Sequence, residues 1–138
     1  MITLFYLLGV FCFLHEVIIL GSPKDYLKKL RILEELNKEP EDGRQKPTLE
    51  NLPVEDKKKV VGFILFTLFY LAWTIIGAIF AGQWILFVTL LGFGFSIGFL
   101  RKRNKNNTRV SLKIIRFDSF VSSITLAFIV LNHFHNIL

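Results

Sequence analysis

Two carboxylates stand out because each sits inside an otherwise apolar run: Glu16, near the end of the first hydrophobic segment, and Asp118, near the start of the last. An acid at membrane depth needs a cation or a proton, so it serves either as an ion-pair anchor or as a group that handles protons. The last segment continues the polar pattern. Asp118, Ser122, Thr125, Ile129, Asn132 and Asn136 are spaced 4, 3, 4, 3 and 4 residues apart. On a helix this places all six within about 80° of one another. Similar faces recur in Gly9, Cys12 and Glu16, in Thr67, Tyr70, Thr74, Gly77 and Ala81, and in Thr89, Gly92 and Ser96. These faces are expected to meet inside a helix bundle. The plainer reading is packing, in which small residues allow close approach and hydroxyls bond across helices or back onto their own backbone. The sharper reading is a hydrated path for a proton, an ion or a small polar solute, lined by Glu16, Asp118, Ser122, Thr125, Asn132 and Asn136. A stripe facing an identical subunit is the third.

Glu16 and Asp118 are expected at comparable depth, where two carboxyls brought together can share one proton. Arg101, Arg103, Lys113 and Arg116 lie near the same surface, and an ion-pair anchor is the favoured role. His15 points about 100° away from Glu16 and is expected to pack or to sit at the interface. His133 and His135 fall on opposite faces of one helix and cannot chelate a metal together. Leu14-His15-Glu16 has the start of a zinc-protease helix, but position 19 is Ile where a second histidine is needed. The lone cysteine, Cys12, allows neither an internal disulfide nor a cysteine metal site. No metal and no cofactor are expected.

The elements that must position these groups follow from the charge pattern. From Val60 to Leu100 run forty-one residues without a charged side chain, interrupted by Gly82-Gln83. As one helix this run would be about 61 Å long, twice the ~30 Å hydrocarbon core of a bilayer, so it must cross twice. Residues 1–20 give another crossing, because neither leading Lys or Arg nor a small-residue cleavage site marks them as a signal peptide. The predicted architecture is an all-α membrane protein of one domain with four transmembrane helices at 1–20, 60–81, 84–100 and 112–138. Between the first two lies a charged loop, 21–59, and a basic loop occupies 101–111. Ser22, Pro23 and Asp25 form a helix start signal, and Tyr26, Leu27, Leu30, Leu33 and Leu36 recur at helical spacing. An amphipathic helix is therefore expected over 23–37, resting on the membrane interface, packing under the bundle, or offering Leu27, Leu30 and Leu33 to a protein partner. Opposite charges four apart at Asp25-Lys29, Arg31-Glu35 and Glu34-Lys38 support it. Residues 39–52 read as a flexible linker. Gly94 to Gly98 forms a GxxxG and Ala78 to Gly82 a small-xxx-small step, expected as intrachain contacts in preference to a dimer seam. Trp84 is expected as an interfacial anchor and Trp73 as a packing residue.

Orientation follows from counting. All seventeen Lys and Arg lie in the two loops that a four-helix zigzag puts on one side, ten in the first and seven from Arg101 to Arg116. That side is predicted to be cytoplasmic, in the plasma or inner membrane, with both termini outside. Arg101, Lys102, Arg103, Lys105 and Arg109 are expected to contact lipid head groups. The formal charge of +6 is explained by a membrane surface rather than by nucleic acid. With no nucleotide motif, nucleophile or metal cluster, the reading is a non-enzymatic membrane protein. It would act through contacts with a membrane or cytoplasmic protein, or as a homo-oligomer, and a small proton-linked transporter or channel is the alternative. A first-helix Glu followed by Val17-Ile18 in a short four-helix chain resembles the small multidrug transporters, whose first-helix Glu binds protons and cationic drugs in a dimer. The resemblance covers residues 16 to 18 and the helix count. The 39-residue charged loop and the one-sided charge depart from that compact family, and the assignment is not adopted.

Overall fold

Long apolar segments can satisfy their backbone groups along their own helical axis, without water or a neighbouring strand. The computed structural model, which describes residues 1–37 and 48–137, shows this solution throughout. Its elements are α1 (Ile2–Gly21), α2 (Pro23–Asn37), a single 3-10 turn (Leu49–Asn51), α3 (Val54–Phe80), α4 (Trp84–Arg103) and α5 (Thr108–Ile137). No strand occurs among the described residues. Helices α1, α3, α4 and α5 are long and apolar enough to cross a membrane, with mean hydropathy of 2.2, 2.2, 1.8 and 1.8 in their most apolar windows.

Helices run past the expected crossings where polar residues continue them. Helix α3 starts at Val54, next to Pro53 and ahead of the expected crossing at 60, and Glu55 and Asp56 suit the positive end of its dipole. Helix α4 runs on to Arg103, with Arg101, Lys102 and Arg103 at its negative end. Helix α5 begins at Thr108, ahead of the expected 112, and Asn107 caps it by accepting a hydrogen bond from the Val110 N–H at 3.2 Å. The expected linker, 39–52, falls largely outside the described residues, as does Lys38 with its pairing to Glu34.

Helix α5 is the central element, packing on α1, α4 and α2, while α3 packs chiefly on α4. The contact between α1 and α3 is slight, so the ring of helices closes weakly there. Two apolar clusters hold the bundle. At the end near the α3–α4 turn, Tyr6, Cys12, Trp73, Phe87, Leu90, Leu126 and Ile129 form a continuous core. Gly77 lets α3 and α4 meet, since a Cβ there would strike the ring of Phe87. Gly9 does the same for α1, where a Cβ would lie 2.8 Å from Trp73. At the other end Leu27 of α2 packs with Ile19 of α1 and Ile115 of α5, flanked by Tyr26, Leu30 and Leu112.

In α2, Leu27 is buried with Ile19 and Ile115, Leu30 packs against that cluster, and Leu33 is half-buried. Two expectations for α4 fail. Thr89, Gly92 and Ser96 face outward, while Phe87, Leu90 and Ile97 fill the interior. The physical reason is that Thr89 and Ser96 donate to the carbonyls of Ile85 and Gly92 on their own helix, at 2.8 and 2.9 Å, and need no partner inside. Gly94 and Gly98 do not make a close intrachain approach either, for a Cβ at either position meets nothing within 4 Å.

Candidate functional site

The helix that carries Glu16 and the helix that carries Asp118 are the most closely packed pair in the bundle. Their carboxyls therefore come from opposite ends of the chain to line one cavity of ≈ 270 Å³. All five helices contribute: His15 and Glu16 from α1, Tyr26 from α2, Tyr70 and Thr74 from α3, Arg101 from α4, and Asp118 and Ser122 from α5. Apolar walls come from Phe66, Leu90, Leu91 and Phe95.

Within the cavity the groups are ordered by charge. The Arg101 guanidinium lies near Asp118, which also faces the Ser122 hydroxyl. Glu16 faces Asp118 and Ser119. Tyr70 turns its phenol toward Ser122 and Glu16. Tyr26 closes the α2 end: burial pushes its phenol above its ordinary range, and Arg101 beside it draws it back down. His15 stacks on Phe66 with ring centroids 3.8 Å apart, and its Nδ1 is buried with no protein partner among the described residues. It thus packs, as expected, and also joins Glu16 at the cavity wall.

The cavity reaches the surface between α3 and α4. Thr67, Leu71, Gly94 and Phe95 line it and are also exposed on the outside of the bundle, Phe95 at 73%. Toward the α3–α4 turn it ends at Thr74 and Leu90, where Trp73 (3% exposed) and Phe87 (0%) fill the interior. There Trp73 Nε1 donates to the Phe5 carbonyl at 2.8 Å, and the Phe5 ring stacks on the indole at 5.1 Å. The Gln83 amide donates to the Ile129 carbonyl at 3.2 Å and ties the turn to α5.

The expected polar path is thus divided. Glu16, Asp118 and Ser122 meet in the cavity. Thr125 is half-buried and donates to the Val121 carbonyl at 2.9 Å, and Ile129 lies in the dry core. Asn132 and Asn136 are exposed, outside the bundle interior. His133 stacks on Tyr6 at 3.8 Å, His135 is exposed, and the described residues contain no group of three His, Cys, Asp or Glu arranged to hold a metal. Lys102, Arg103, Lys105 and Arg109 are exposed, but Arg101 is half-buried and turns into the cavity.

Reading the sequence by helical faces misses two contributors. Tyr26 is counted there among apolar helix positions and Ser119 lies off the stripe, whereas Arg101 is named both as a head-group contact and as a cation near the two carboxylates. A signal for Arg101 exists: it is the first charge after the uncharged run, opposite Asp118 on the next, antiparallel helix. Comparison of the chain with known family models, curated proteins and solved structures finds no match.

Proposed function

We propose that this chain is a multi-pass integral membrane protein that binds a proton, or a small solute bearing positive charge, in the cavity between its helices, as a small proton-linked transporter does. The observation that carries the proposal is the meeting of Glu16, Asp118 and Arg101 around one cavity among long apolar helices. Two carboxyls and one guanidinium leave one negative charge to be offset where water is scarce. A proton can offset it, and so can a cation; competition between the two couples them. Tyr70, Phe66 and Phe95 give the cavity π-faces that favour a cation.

The α2 end is assigned to the cytoplasmic side of a cell membrane, because the basic residues of both loops gather there. On this assignment α2 is an amphipathic cytoplasmic helix whose leucine face covers the bundle. The aromatic core beyond Thr74 argues for a one-sided binding site rather than an open pore, and release to the other side requires that core to part. No catalytic role is assigned to either carboxylate.

A second reading, contact with another membrane helix from a second copy or a different protein, is favoured by one feature. Gly92 and Gly94 lie on the outer surface of α4, where added Cβ atoms meet nothing within 4 Å.

The test is proton and monovalent-cation flux into liposomes holding the purified chain, beside Glu16→Gln and Asp118→Asn. Flux above that of empty liposomes, lost in a correctly inserted Glu16→Gln protein, is expected. Absence of flux with the native protein inserted and folded would leave the carboxylates as structural groups and favour the second reading.

A further inference from the structure

A second concavity lies away from the carboxylate cavity, between α2 and the start of α5, with a volume of ≈ 340 Å³. Its rim carries Lys24, Lys28 and Arg31, spaced 4 and 3 residues apart and so on one face of α2. Its floor is apolar, made by Leu27, Ile32 and Leu112. Glu35 is the one acid among the lining residues, so the lining side chains sum to +2, three positive against one negative. Arg31 donates a hydrogen bond to the Thr108 hydroxyl, which fixes the α2 rim to the first residue of α5.

We infer that this groove holds an anionic phospholipid, with the phosphate between Lys24, Lys28 and Arg31 and the first acyl carbons on Leu27, Ile32 and Leu112. The combination of a basic rim and an apolar floor selects the ligand class. A soluble anion gains nothing from the floor, whereas a phospholipid uses both. The level is right as well: Leu27 also touches Ile19, near the end of α1, and Ile115, about two turns into α5, on two helices long enough to cross a membrane. The inference rests on the membrane reading above, but not on the cavity.

The test compares phosphatidylglycerol with phosphatidylcholine binding to the purified full chain by native mass spectrometry and lipid titration. The variant is Lys24→Gln with Lys28→Gln, two exposed side chains that leave the Arg31–Thr108 contact intact. The control, Arg103→Gln with Lys105→Gln, removes the same charge from exposed positions outside the groove. At about fivefold per cation, the groove variant is expected to lose roughly 25-fold in phosphatidylglycerol affinity. The control is expected to lose severalfold less, and phosphatidylcholine binding to stay constant. Equal losses in the two variants, or none in either, would overturn the groove and leave only diffuse surface charge. Displacement of phosphatidylglycerol by millimolar inorganic phosphate would overturn the lipid assignment. Failure to associate with either lipid would instead sink the membrane reading, a result distinct from loss of selectivity.

Discussion

Toward the α3–α4 turn, Tyr6, Trp73, Phe87, Leu126 and Ile129 fill the space between the helices, and Gly9 and Gly77 bring backbones close enough for those rings to interlock. Toward α2, the same helices hold Glu16, Asp118, Arg101, Tyr26 and Tyr70 around a cavity. One half is dry and shape-matched; the other is polar and opens between α3 and α4. On the proposed membrane reading, apolar surface gains little by moving from lipid tails to a protein interior, so packing and hydrogen bonds hold the helices together. The interlocked half should therefore supply most of the bundle's stability, which lets the other half tolerate buried charge and empty space. Substitutions in the two halves should have opposite signatures: stability without direct chemistry in one, chemistry with little stability in the other.

The largest expected effect is at Trp73, 3% exposed, where truncation removes contacts with Phe5, Phe87 and Gly9 and the hydrogen bond to Phe5. Trp73→Ala should cost on the order of 3 kcal/mol, read as a lower unfolding midpoint in detergent or bilayer discs. A loss no larger than that of a surface variant would show that this half is not the stabilising one. Gly77→Ala comes next, at about 1–3 kcal/mol, because the new methyl must displace the Phe87 ring or part α3 from α4. Serine at position 77 should do the same, since the obstacle is steric.

The division between the halves was only partly legible in the sequence. The four long apolar helices were, because uncharged runs of membrane-spanning length have few alternatives once lipid is the solvent. The inward faces of α1 and α3 were largely legible too: Gly9, Cys12, Thr74, Gly77 and Ala81 are buried, though Thr67 of the same face is exposed. Helix α4 was not. Its hydroxyl residues satisfy themselves locally while Phe87, Leu90 and Ile97 pack inward, so the polarity rule that serves α5 near Asp118 points the wrong way there. The stripe on α5 is not interior at Asn132 because the buried arc, marked by Ile115, Ser119, Ser122, Leu126 and Ile129, is rotated from it, and Asn132 lies on the stripe's far edge although α1 still reaches this level at His133. Tyr26 and Ser119 entered the site through tertiary contacts that helical spacing cannot reveal.

Leu27→Ala tests the second cluster, where α2 meets Ile19 and Ile115. The expected cost is about 2 kcal/mol, with α2 more exposed to proteolysis between Pro23 and Asn37. Because Tyr26 lies on the same helix and lines the cavity, the variant should also weaken cation binding severalfold. Lost stability with binding untouched would show that α2 covers the bundle without shaping the site.

Glu16→Gln should shift the unfolding midpoint by less than any variant above, under about 1 kcal/mol, while abolishing proton-linked flux. The amide keeps the carboxyl's shape, and replacing one of two facing carboxyls removes the charge imbalance around Asp118 and Arg101. A large destabilisation, with rescue by Asp at position 16, would identify Glu16 as a structural anchor and merge the two halves into one stabilising network.

The smallest effect is expected at Gly94, and it is the one that reaches beyond a single chain. A Cβ there meets nothing within 4 Å, so Gly94→Ala should be neutral or slightly stabilising, by up to about 1 kcal/mol from helix propensity. Gly77→Ala in the same hairpin should be plainly harmful, and the contrast isolates close approach from glycine's flexibility. Gly94 also lines the mouth of the cavity, beside Phe95. If Gly94→Ala instead lowers stability in proportion to protein concentration in the bilayer, another helix must be covering that mouth. The open side of the cavity would then be an interface between copies, and the contrast between a closed half and an open half would hold for the isolated chain alone.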